Sequence, residues 1–159
     1  MARFDGIRYA QISNLKSQSS NLKDVYLNQR GGGFGEETTR RILLGTFVLS
    51  AGYYDAYYTK AQKVRQLIKK DFDECFQRVD VILTPTTPIK AFKIGEKAND
   101  PLSMYASDIL TTPASLAGLP AISIPVKLPK TSLPIGFQLI GKHFHEADIL
   151  AVGQYYEKI

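Results

Sequence analysis

Apolar residues recur three and four apart through Tyr57, Ala61, Val64, Ile68, Phe72 and Cys75, while Lys60, Lys63, Lys70, Asp73 and Gln77 fall mainly between them. That period predicts an amphipathic helix from about Asp55 to Arg78. A helix from Glu36 to about Leu49 precedes it. Glu36 and Glu37 suit its first turn, where the helix dipole favours negative charge, and Ser50-Ala51-Gly52 breaks it. Its Ile42, Leu43, Thr46, Phe47 and Leu49 are spread widely enough to predict burial on more than one side. Leu22 to Leu27 reads as a short helical turn. Arg30 to Gly35, with four glycines, reads as a flexible connection.

The period changes in the second half of the chain. Val79 to Thr84 reads as a mostly buried strand ended by Pro85 and Pro88. Thr84 to Pro101 is then a long loop, of the kind that often lines a site. Leu102 to Leu110 and Pro113 to Gly118 are two short helices, the second with proline in its first turn. Ala121 to Val126 and Ile135 to Ile140 predict two strands of a hairpin joined by a Lys-Pro-rich loop. Ala147 to Ile159 predicts a closing amphipathic helix, with Ile149, Leu150, Val152 and Tyr156 on its apolar side. Helices and strands mixed in this way, without a linker or repeat, predict one α/β domain over residues 1–159. Ser13 to Asn21, with four serines, reads as an exposed loop.

Composition narrows the picture. Hydrophobic content of 44%, charge of 22% and seventeen aromatics (nine Tyr, eight Phe) are those of a globular chain rather than a disordered one. The lone cysteine, Cys75, makes no internal disulfide. No apolar run approaches the ~20 residues of a membrane span, and no signal-peptide core follows Met1, which predicts a cytoplasmic or organelle-matrix protein without a membrane partner. The net charge of +5 is spread beside acids and reads as a slightly cationic solvated surface.

Little of this carries chemistry by itself. The glycine-rich stretch has no following Lys-Ser/Thr and places two acids where a phosphate would sit, so it is not a phosphate cradle. His143 and His145 lie in a turn with no neighbouring cysteine and read as surface residues, so no metal site is assigned. Cys75 lies on an apolar stripe and reads as a packed thiol, and Asp71, Asp73 and Glu74 as solvated carboxylates. Two residues stand out. Arg41 directly precedes the apolar run Ile42-Leu43-Leu44, and Asp108 sits in the mild segment Tyr105 to Pro113. Charges held inside must be paired or bound to a ligand. An Arg41–Asp108 salt bridge or two surface charges would satisfy them. So would an amino-acid head group, its carboxylate on the planar Arg donor and its ammonium on the Asp acceptor.

In order and spacing, Gly33-Phe-Gly-Glu-Glu37, Arg40-Arg-Ile42, Leu44-Gly-Thr46 and Ser50 to Tyr58 resemble the amidase signature family. So do Asp80 to Pro88, Leu116-Ala-Gly-Leu-Pro120 and Ile135 to Lys142. The Gly-Tyr-Tyr-Asp-Ala-Tyr-Tyr run is similar to one branch of that family, the glutaminase subunits of the tRNA-dependent amidotransferases. The resemblance covers almost the whole chain. It implies the C-terminal part of the amidase-signature fold, a mixed sheet flanked by helices. It implies that Arg41 holds the α-carboxylate of glutamine and Asp108 its α-ammonium, with Arg40 the less suited neighbour. Tyr53, Tyr54 and the loop from Thr84 to Lys97 would lie near that site.

The same resemblance implies what the chain lacks. The family's Lys, cis-Ser and nucleophilic Ser come from a segment preceding this region, so no catalytic residue is assigned and the chain alone is expected to be inactive and marginally stable. Lys127 to Ser132 replaces a glycine-containing turn frequent in the family, and His143 stands where proline is frequent. The intact subunit would hydrolyse glutamine and pass ammonia to partner subunits B and C. ATP and magnesium would act on the partner, which would also make most contacts to misacylated Glu-tRNA(Gln) or Asp-tRNA(Asn). No cofactor is expected in this chain. The rival readings are another small-amide hydrolase of the same family and a non-catalytic binding module.

Overall fold

The computed structural model describes residues 21–129 and 132–159, so the serine-rich stretch 13–20 lies outside the described residues. The chain divides into two compact units, Met1–Ala61 and Gln62–Ile159. The division falls inside a helix and no linker marks it, which is why the sequence reads as one domain.

In the first unit, helix α1 spans Leu22–Gly32 and α2 spans Glu36–Val48. The glycines expected to form a flexible connection are thus partly helical, because Gly31 and Gly32 extend α1 by i→i+4 bonding before the chain opens at residues 34–35. Gly35 precedes α2 as its N-cap, and the helix ends where Leu49 N–H donates to Gly45 O at 3.2 Å. Burial on several sides of α2 is not observed: it has no buried residue, and Leu43 is 65% exposed. Within its unit α2 packs against the segment Tyr54–Thr59, a single π-helical turn. There Phe47 and Tyr53 rings lie 4.3 Å apart and Tyr54 stacks on Tyr58 at 4.9 Å. The expected uniform helix from Asp55 therefore opens with a wider turn, in which aromatic packing replaces regular i→i+4 geometry.

The helix continues as α3, Lys60–Cys75, whose residues from Gln62 onward belong to the second unit. Strand β1 (Val81–Pro85) follows, then the short helices α4 (Pro101–Ala106) and α5 (Thr112–Ala117), strands β2 (Ala121–Pro125) and β3 (Gly136–Gly141), and helix α6 (Glu146–Lys158). The α/β class and the β2–β3 hairpin hold. The sheet order is β1-β3-β2, antiparallel at both ladders. β1 and β2 run the same way, but β3 is inserted between them. No parallel pair therefore forms among the described residues, where the resemblance implied a mixed sheet.

Register explains the two cores. Ile82 pairs with Ile140 and Ile140 with Ala121, so these side chains share one face; Leu83, Leu139 and Ile122 share the other. On the first face Ile140 joins Phe76, Ala114, Ala117 and Leu119, with Phe72 and Ile82 against them. On the second, Ile124, Leu139 and Ile149 form the core under α6, with Tyr156 edge-on to Phe137 at 5.0 Å. Gly118 caps α5 at φ 74°, a conformation glycine adopts without penalty. The turn lets Leu119 N–H reach Ala114 O at 3.0 Å and folds Leu119 into the core.

Cys75 is exposed rather than packed. The inward stripe of α3 at this end is Phe72 and, just past the helix, Phe76, whose rings stack at 6.4 Å. Cys75 lies one position off that stripe, and Val64, expected to be inward, is also exposed.

At the start of β1, Asp80 accepts a hydrogen bond from Lys142 Nζ at 2.8 Å. That bond and the ammonium charge, with a smaller contribution from His145, hold the Asp80 carboxyl below the usual carboxylate range. A depressed folded pKa gives stability that is present above the unfolded value, about 3.9, and is lost as pH falls through the folded one. Lys142→Met is therefore expected to move the Asp80 titration up toward the ordinary value in a carboxyl NMR titration. An unmoved curve would show that Lys142 does not set it.

Candidate functional site

Arg41 lies in the second turn of α2, exposed, with Nε donating to Glu37 Oε1 at 2.6 Å. Arg40 NH1 donates to the other oxygen of the same carboxylate at 2.5 Å. The spacing i to i+3 and i+4 places both guanidinium groups over Glu37. The arginine expected to be forced inward is instead held in a solvated pair, which costs far less than burial. Each guanidinium has five donors in a fixed plane. The Glu37 carboxylate thus orients two such planes on one helix face, with the ring cluster of Phe47, Tyr53 and Tyr57 in the same unit.

Asp108 lies in the second unit, in the turn between α4 and α5, and is also exposed. Its backbone is tightly held. Asp108 N–H donates to Tyr105 O at 3.1 Å, and Asp108 O accepts from Thr111 N at 3.2 Å and Thr112 N at 2.9 Å. Thr111 Oγ1 donates to the same oxygen at 3.2 Å. Neither Arg41 nor Asp108 bears the desolvation that made it conspicuous in the sequence. Their geometry is that of presented surface charges.

The neighbouring residue, Ser107, lines an open cavity of about 410 Å³ at the C-terminal ends of β1 and β2. The long loop after β1 supplies one wall through Thr86, Thr87, Ile89 and Phe92, as its length suggested. Lys97 Nζ donates to Ser107 Oγ at 3.2 Å and to Ser103 O at 3.3 Å, and lies 4.7 Å from the centre of the Phe92 ring. At the cavity floor Thr86 Oγ1 and Ser123 Oγ are 3.0 Å apart. Gly136 allows this approach: a Cβ there would stand 3.3 Å from both hydroxyl oxygens and 3.2 Å from Ile124 O.

Sequence reasoning missed Gln138, which is 3% exposed in the middle of β3. Its Nε2 donates to Leu110 O at 2.7 Å and Thr84 Oγ1 at 2.9 Å. The signal was one polar residue inside Gly136-Phe-Gln-Leu-Ile140, where an apolar residue would satisfy the period. His145 Nδ1 pairs with Asp148 Oδ2 at 2.9 Å, and both histidines are exposed. Among the described residues no three His, Cys, Asp or Glu side chains come together as metal ligands, and no helix is long and apolar enough to cross a membrane.

Residues 1–150 match the family model described as Amidase. The chain is 60% identical over 158 residues to the A subunit of glutamyl-tRNA(Gln) amidotransferase from Shouchella clausii, covering 99% of this chain and 32% of that protein. It is 58% identical over 152 residues to the protein of the same name from Pelagibacter ubique, covering 96% of this chain and 30% of that one. It thus spans about a third of the length of these curated relatives. The crystal structure of the corresponding glutamyl-tRNA(Gln) amidotransferase protein from Thermotoga maritima superposes with a TM-score of 0.57 at 51% identity, over 80% of this chain and 28% of that chain. A bacterial aryl acylamidase shares the fold at 20% identity, with a TM-score of 0.59 over 84% of this chain and 28% of that chain.

Proposed function

The chain belongs to the amidase family, and from that premise we propose that its protein is the glutaminase component, the A subunit, of a tRNA-dependent amidotransferase. In this reading the intact protein hydrolyses glutamine and supplies ammonia for converting Glu-tRNA(Gln) or Asp-tRNA(Asn) to the correctly paired product. The observation that carries it is the 60% identity over 99% of the chain to a relative of that name.

This chain contributes substrate binding and core structure. Arg41, its guanidinium plane oriented by Glu37, receives the α-carboxylate of glutamine; Asp108, on its hydrogen-bonded turn, receives the α-ammonium. The nucleophile belongs to a serine of the intact protein in the segment that precedes this region, and the chain alone is expected to be inactive. Subunits B and C are its partners, and the misacylated tRNA is held mainly by the partner that activates its carboxylate. ATP and magnesium are assigned to that partner. The site of action is the cytoplasm or an organelle matrix.

The test is Asp108→Ala in the intact protein with its partners. Glutamine hydrolysis is expected to fall about a hundredfold, as one partner of a charged recognition pair is removed, while amidation driven by free ammonia is retained. An equal loss on simple amides without an α-ammonium group would favour the small-amide hydrolase instead. No loss on glutamine would remove Asp108 from the site.

A further inference from the structure

We propose that Gln138 is a positioning residue for glutamine recognition, because its buried amide fixes the turn that presents Asp108. The inference rests on the reading of Asp108 given above. Gln138 lies at the centre of the central strand, on the face that it shares with Ile82 and Ile140. A buried amide there costs free energy unless its N–H groups are paired, and an apolar residue of similar size would avoid that cost. Both N–H groups have a partner, and the partners lie far apart in sequence.

One partner is Leu110 O, 2.7 Å away and 28 residues before Gln138. Leu110 belongs to neither helix nor strand. It sits two residues after Asp108, inside the set of bonds that joins Asp108 O to Thr111 and Thr112. Rotation of the Leu110 peptide therefore turns Asp108 with it. The bond from Gln138 is the tether between that turn and the rigid sheet. The other partner is Thr84 Oγ1 at 2.9 Å, whose hydroxyl donates on to Pro85 O at 3.2 Å. From there the chain leaves β1 for Thr86 to Phe92, one wall of the cavity, while Ser107 stands on the other. A single side chain thus ties both walls to β3.

The experiment uses the intact protein in its complex and two substrates: glutamine, and glutaramate, which has the same amide and carboxylate without the α-ammonium. Gln138→Met keeps the shape and removes both donors. It is expected to raise the glutamine KM about tenfold through misplacement of Asp108, with glutaramate hydrolysis left near its original kcat/KM. Thr84→Val removes only the other arm and is expected to leave the preference for glutamine over glutaramate intact. Should Gln138→Met fail to fold, Gln138→Asn, which keeps the donors but is too short for both partners, is expected to lower that preference in the same direction.

Equal losses on both substrates, or none on either, would overturn the proposal. Asp108→Asn separates it from the reading beneath it. If Asp108→Asn leaves the preference unchanged, the ammonium site itself is wrong. If Asp108→Asn abolishes the preference and Gln138→Met does not alter it, only the positioning role falls.

Discussion

Leu139→Ala is expected to destabilise the protein by about 3.5 kcal/mol, the middle of the range for a fully enclosed leucine. Leu139 is 1% exposed and is the largest fully buried side chain among the described residues. It sits in the middle of the central strand, paired with Leu83 on one side and Ile122 on the other, and packs with Ile124 and Ile149. The site has little freedom to collapse, since the strands on both flanks are fixed by their ladders and α6 covers the face. The measurement is the urea midpoint at unchanged m-value. Leu133→Ala, at a loop position that is 59% exposed, serves as the control and should shift it by less than about 0.5 kcal/mol. A similar small shift for Leu139 would mean that the core under α6 is not where stability resides.

On the proposed function, Arg41→Ala carries the largest effect on activity. It is expected to raise the glutamine KM about a hundredfold, roughly 3 kcal/mol for loss of one side of a charged recognition pair, with ammonia-driven amidation retained. Arg41→Lys should recover little, because a point ammonium does not reproduce the planar fork. Arg40→Ala decides between the two neighbours. Both arginines lie on Glu37 at 2.5 and 2.6 Å, so their structural cost of removal is alike. A large KM effect at Arg40 and none at Arg41 would exchange their roles.

Local pattern was legible and long-range order was not. The alternation in Ala121 to Val126, the proline in the first turn of α5 and the acids in the first turn of α2 each mark their element, because each reflects a bond or a face within a few residues. Insertion of β3 between β1 and β2 depends on pairing across the whole second unit, which no local period records. The exposure of Cys75 came from a small error in helix phase: Phe76, one position on, takes the core. Arg41 looked costly because its apolar neighbours suggested burial, whereas the carboxylate of Glu37 four residues earlier had already met that cost. The resemblance placed Arg41 and Asp108 in a pattern, but it carried no hint of Gln138, whose partners lie 28 and 54 residues away.

The central position of β3 also sets an order of events at the ribosome. β1 and β2 are made first, and within this sheet neither has a hydrogen-bonding neighbour until β3 appears. From Pro85 to Gly136 the chain grows by roughly 50 residues, which takes about 3–10 s at ordinary elongation rates. Throughout that interval the apolar strand Val81-Ile-Leu83 lacks its β3 neighbour. Among the described strands the last to be made is thus the one that pairs the other two, and nascent-chain chaperones would be needed most before Gly136 emerges.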